Sequence, residues 1–119
     1  MSTKRREQIE QMLAEDPDDV FLRYSLALEM EAAGEWEAGL EILEALARAA
    51  SPYVPAFQMA AQHLVARERF DDARRVLREG IEEARRQGNA HAAREMSELL
   101  MGIGAVGGDS AAGGDGAAE

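Results

Sequence analysis

The chain has 119 residues, of which 46% are hydrophobic, 30% charged and only 5% aromatic, and its formal net charge is −10. That length suits one domain, and the absence of Cys excludes disulfides, thiolate nucleophiles and Cys-based zinc sites. No apolar run is long enough to span a membrane, and the excess of carboxylates repels phosphate backbones, which argues against nucleic acid as a partner.

Six helices are expected in chain order, over residues 4–15, 18–33, 35–50, 54–67, 69–87 and 89–101, with no strand. Strong helix formers dominate, and strict apolar/polar alternation is absent. The first helix follows a basic start, MSTKRREQIEQ, which has no apolar stretch behind it and so does not read as a secretory signal. Its apolar stripe is Ile9, Met12 and Leu13. Asp16-Pro17-Asp18-Asp19 then makes a turn and supplies candidate N-caps. The second helix carries Leu22, Leu26, Ala27 and Met30, and Gly34 separates it from the third, with Trp36, Leu40, Leu43, Leu46 and Ala47. Ser51-Pro52-Tyr53-Val54-Pro55 is the next turn, Pro55 being tolerable in a first helical turn. The fourth helix has Phe57, Ala60, Ala61 and Leu64, and the fifth has Phe70, Ala73, Val76, Leu77 and Ile81. Nothing in Ala66-Arg67-Glu68-Arg69 marks a break except comparison with Gly34. Gly88-Asn89 opens the sixth helix, with Ala93, Met96 and Leu100. Spacings of three, four and seven mark buried faces, and the short connections imply antiparallel neighbours.

Residues 102–119 hold 7 of the 11 glycines and read as a disordered, acidic Gly/Ala-rich tail, which leaves 1–101 as the helical domain. Charge is uneven: residues 1–50 carry 5 basic and 12 acidic side chains, residues 51–101 carry 8 of each, and the tail carries Asp109, Asp115 and Glu119.

The chain repeats itself. Laid over itself with Val20 on Val54, it aligns 20–53 with 54–87 and pairs Val20/Val54, Ala27/Ala61, Ala32/Ala66, Leu43/Leu77 and Ala50/Ala84 as identities. Met30 meets Leu64, Trp36 meets Phe70, Gly39 meets Ala73 and Ile42 meets Val76. An aromatic thus opens the second helix of each unit, and a small residue three places later lets two backbones approach.

This 34-residue unit resembles the tetratricopeptide repeat. Leu26-Ala27, Met30, Gly34, Trp36, Gly39 and Leu43 carry the likeness in the first unit; Phe57, Ala61, Leu64, Phe70, Ala73, Leu77 and Gly80 carry it in the second. Arg23 stands where the family usually has Trp, Leu46 replaces a small residue, Glu68 replaces the turn glycine, and Pro52 falls one residue late. Residues 1–17 match a second half-unit, and 89–101 match a first half after a two-residue slip. The resemblance implies an all-α solenoid of two full repeats flanked by half-units, covering about 85% of the chain.

No catalytic constellation is visible, and neither catalysis nor a cofactor is expected. No Ser lies in a nucleophile elbow, and the glycine runs follow no strand, which argues against a phosphate loop. His91 and Glu95, four apart, have a spacing that can hold a metal, but the plainer reading is an exposed helical pair. His63 reads as a residue at the edge of a helix contact. Glu44/Arg48, Asp71/Arg75, Arg75/Glu79, Arg78/Glu82 and Glu82/Arg86 are expected to lace solvated faces.

The resemblance implies that the first helix of each unit lines a concave groove for a peptide or a partner's helix. The corresponding positions are Phe21, Tyr24 and Leu28 on the second helix. On the fourth they are Gln58 and Gln62, and on the sixth His91, Arg94 and Glu98. Phe21, Tyr24 and Leu28 form a second apolar stripe beside the core stripe, unless the N-terminal half-unit covers them. Family members that bind acidic C-terminal tails use Lys and Asn where this chain has Tyr24 and Leu28, so a basic or apolar protein partner is expected. The expected role is a cytoplasmic, bacterial protein-binding adaptor. The alternatives are a self-associating structural module, such as a homodimer, and a small secretion-type chaperone.

Overall fold

The computed structural model describes residues 2–106, so of the expected tail at 102–119 the first five residues are helical and residues 107–119 lie outside the described residues. Among the described residues six helices follow one another: α1 (Ser2–Glu15), α2 (Val20–Ala32), α3 (Trp36–Ala47), α4 (Val54–Ala66), α5 (Phe70–Arg86) and α6 (Ala90–Val106). Among those residues there is no strand. Chain neighbours pack in sequence, α1 on α2, α2 on α3, α3 on α4, α4 on α5 and α5 on α6, while α4 also touches α6.

The period is visible in the elements themselves. α2 and α4 begin at Val20 and Val54, and α3 and α5 begin at Trp36 and Phe70, so both pairs keep the register in which Val20 falls on Val54. The turns repeat as well. Gly34, Glu68 and Gly88 all have left-handed backbones, with φ of 88°, 59° and 77°. Behind each, the next amide donates to a carbonyl five residues back: Glu35 to Met30 (2.8 Å), Arg69 to Leu64 (2.8 Å) and Asn89 to Ala84 (2.7 Å). These are Schellman-type ends, which turn one helix into its antiparallel partner. Glu68 therefore performs the glycine's turn with a side chain attached, which is why residues 66–69 carry no sequence signal.

Several ends differ from expectation. α2 starts at Val20 rather than residue 18, because Asp19 is the N-cap and its carboxylate accepts from the Leu22 amide at 2.9 Å. α3 stops at Ala47 rather than 50, ahead of Pro52, and the Tyr53 amide returns to the Leu46 carbonyl at 3.0 Å. α6 runs on to Val106, past the expected end at 101. Ile103, only 3% exposed, joins the core and offsets the cost of the helical glycines beside it.

The core is continuous along the solenoid, with Leu43, Leu46, Leu64, Leu77 and Met96 as its largest fully buried side chains. The small residues of the repeat allow close approach. A β-carbon on Gly39 would lie 2.8 Å from the Ala27 carbonyl oxygen, and Ala73, its counterpart, is fully buried. Met12 departs from its expected place in the core stripe, being 49% exposed. Its counterparts Leu46 and Gly80 are buried because each has a first helix of its own unit to pack on, whereas α1 is a half-unit.

Candidate functional site

α2, α4 and α6 are the first helices of successive units. Two contacts tie α2 to α4. At one end the Tyr24 ring meets Tyr53, the N-cap residue of α4, edge to face with centroids 5.4 Å apart and planes at 72°. At the other, Arg67 at the C-cap of α4 lies 3.7 Å from Glu31 near the end of α2. Starts thus meet starts and ends meet ends, so α2 and α4 run parallel.

Phe21 is 65% exposed, so α1 does not cover it. Tyr24 and Leu28 are half-buried. Burial, assisted by the neighbouring Tyr53, pushes the Tyr24 hydroxyl above its ordinary range. Gln62 is exposed and Gln58 half-buried, one turn apart on α4. His91, Arg94 and Glu98 are all exposed on α6, which touches α4. His91 Nε2 lies 3.0 Å from Glu95 Oε2, an exposed helical pair. Among the described residues no three His, Asp or Glu side chains converge on a common point.

Sequence reasoning missed a polar joint between the two units. His63 is 6% exposed, buried rather than at an edge, and its Nδ1 has no partner. Burial pushes its imidazole below the ordinary value; Glu31 pulls it up and Arg67 pushes it further down. The Arg67 guanidinium lies 5.0 Å from the centre of the Trp36 ring, a cation–π contact that reaches from α4 back to α3. His63 holds the place in its unit that Glu29 holds in the preceding one, and Glu29 Oε1 is also buried without a partner. That shared repeat position was the available signal.

The N-terminal half-unit buries Ile9 and adds ion pairs to its neighbour. Arg6 makes a two-pronged contact with Glu35, at 2.8 and 3.1 Å, and a third hydrogen bond to Glu10 at 3.1 Å. The Glu35 bond, then the Glu10 bond, raises the Arg6 pKa, and Arg6 in turn holds the Glu35 carboxyl below its ordinary value. Arg5 reaches Glu29 at 3.1 Å.

On α5 the charge lacing is shifted from expectation. Asp71 pairs with Arg74 rather than Arg75, Arg86 pairs with Glu83 rather than Glu82, and Arg75 reaches both Asp72 and Glu79. Pairs three apart replace several of the expected four-apart pairs, because the guanidinium reaches either neighbour on the same face. Glu44 and Arg48 pair as expected, at 4.0 Å. A shallow groove of about 610 Å³ opens on this side, floored by Ala47 and Phe57 and walled by Arg48, Glu79, Glu83 and Arg86. None of the eight sequence-chosen groove residues lines it.

No family model matches the chain, and no curated protein is detectably similar. A solution NMR structure of a tetratricopeptide repeat domain protein from Salinibacter ruber superposes with a TM-score of 0.74 at 25% identity, covering 82% of this chain and 98% of that one. With its repeated helix pairs, its three equivalent turns and this likeness, the chain is an all-α helical-repeat protein with a tetratricopeptide-repeat-like fold.

Proposed function

We propose that the chain is a non-catalytic protein-binding module that receives a peptide or a partner's helix along the face made by α2, α4 and α6. Folds of this kind generally mediate protein–protein contacts. The observation that carries the proposal is Phe21, a large aromatic left 65% exposed at the start of α2. Aromatic anchors of this sort dominate binding energy when a partner covers them. Leu28 extends the apolar stripe, Gln58 and Gln62 offer uncharged donors and acceptors, and Arg94 and Glu98, beside His91, close the face with charge.

Self-association by end-to-end stacking is less well supported. The positions of α1 that correspond to Gly39 and Ile42 are Arg5 and Gln8, both exposed, so the open edge is polar apart from Met12 at its far end. That is how a terminal repeat is solvated rather than extended.

Affinity capture tests the proposal, comparing wild type with Phe21→Ser/Gln62→Ala. Both residues are exposed, so the fold should be retained. Loss of specific partners in the variant is the expected result. An unchanged set of partners would remove the concave face from consideration.

A further inference from the structure

Three apolar side chains lie open at one end of the α1–α2 hairpin. Met12 sits one turn before the end of α1, and Val20 and Phe21 open α2; they are 49%, 39% and 65% exposed. The surface around them is predominantly acidic, with Arg23 in the first turn of α2 as its nearest cation in sequence. No Lys or Arg occurs between Glu7 and Leu22, and Glu15, Asp16 and Asp18 are all exposed. Among the described ion pairs, none involves these three carboxylates. The basic residues of α1, Lys4, Arg5 and Arg6, all lie at its other end, where Arg5 pairs with Glu29 and Arg6 with Glu10 and Glu35.

Two of the acids also sit where the fold gains nothing from them. Asp19 caps α2, which accounts for its presence. Glu15 closes α1 and Asp16 follows it, at the negative end of the helix dipole, and the last turn of α1 holds no basic residue. Carboxylates there oppose the dipole. On α5, by contrast, Asp71 and Asp72 stand in the first turn and are paired with arginines. The chain neutralises its charge on α5 and leaves it bare at this tip.

We propose that the tip formed by Met12, Val20 and Phe21, rimmed by Glu15, Asp16 and Asp18, docks a basic amphipathic helix of a partner protein. The apolar side chains of that helix cover Phe21, and its Lys or Arg residues supply the cations that the rim lacks. Charge of this kind steers encounter and selects partners. The proposal rests on the reading of the chain as a protein-binding module, and Phe21 is common to both.

The probe is a synthetic Leu/Lys peptide that forms an amphipathic helix, titrated calorimetrically into the full chain; the comparison peptide carries Glu in place of Lys. Binding of the Leu/Lys peptide alone is expected, weakening about tenfold or more between about 0.05 and about 0.3 M salt. Glu15→Gln/Asp16→Asn should weaken it about tenfold without lowering the melting temperature, and Phe21→Ser should do the same. Glu37→Gln/Glu41→Gln, on the exposed face of α3, should leave it within about twofold. Equal weakening by the α3 variant would reduce the effect to general charge attraction and overturn the proposal. So would a melting temperature lowered by Glu15→Gln/Asp16→Asn, since those carboxylates would then serve the fold. If Leu28→Ser/Gln62→Ala abolishes binding while the tip variants do not, the tip is lost and the concave-face reading stands.

Discussion

Gly80 of α5 lies so close to Phe57 of α4 that a β-carbon on it would sit 2.6 Å from the Phe57 β-carbon, and 2.7 Å from Met96 Sδ of α6. One hydrogen atom's worth of side chain thus sets the spacing of three helices. Gly80→Ala would gain about 1 kcal/mol of helix propensity. The overpacking should outweigh it, lowering stability by about 1–3 kcal/mol in urea denaturation. Gly102→Ala is the control, because nothing lies within 4 Å of its β-position. There the propensity gain should appear alone, as up to about 1 kcal/mol of added stability.

Glu68 holds the turn conformation that Gly34 and Gly88 hold without strain. A left-handed backbone costs a residue with a β-carbon about 1–2 kcal/mol, part of which glycine returns through its freer unfolded state. Glu68→Gly should therefore raise stability by about 1 kcal/mol, measured by the same denaturation. An equivalent loss would mean that the Glu68 side chain contributes a contact of its own.

Ile103 tests the extended end of α6. Its side chain is 3% exposed, so Ile103→Ala should cost about 2–4 kcal/mol. Were the domain to end at residue 101, the substitution would be silent.

His63 gives a pH dependence. Its imidazole is held below the ordinary value by burial and Arg67, against the pull of Glu31, so the unfolded chain takes up the proton first. Its influence is absent above the unfolded pKa of about 6.5 and becomes a loss of stability as pH falls through that value toward the lower folded one. His63→Leu should flatten the stability profile across this window relative to wild type. A profile equally steep in both would assign the effect to other groups.

Much of the fold was legible because each repeat position has a local physical demand. Aromatic residues at Trp36 and Phe70, small ones at Gly39 and Ala73, and glycine at Gly34 each state a packing or backbone requirement, and the first two recur at the same place in both units. Legibility failed where the demand was met by tertiary context. Met12 has core spacing but no helix to cover it, and Ile103 holds a glycine-bearing segment helical through burial rather than propensity. The Arg67–Trp36 contact and the buried His63 depend on how α4 sits against α2 and α3, which periodicity within one helix does not encode. For the candidate face, sequence selected the helices, but the separation of exposed Phe21 from half-buried Tyr24 came from the Tyr53 ring packed against Tyr24.

The central claim is that the α2/α4/α6 face binds a protein, and site-specific photocrosslinking in native lysate tests it most directly. A photoreactive residue at Gln62 samples that face, and one at Glu41 samples the exposed side of α3. The expected result is a discrete adduct from the Gln62 position that disappears when Phe21→Ser is added, and none from the Glu41 position. Adducts of equal yield from both positions, or an adduct at Gln62 indifferent to Phe21→Ser, would contradict it.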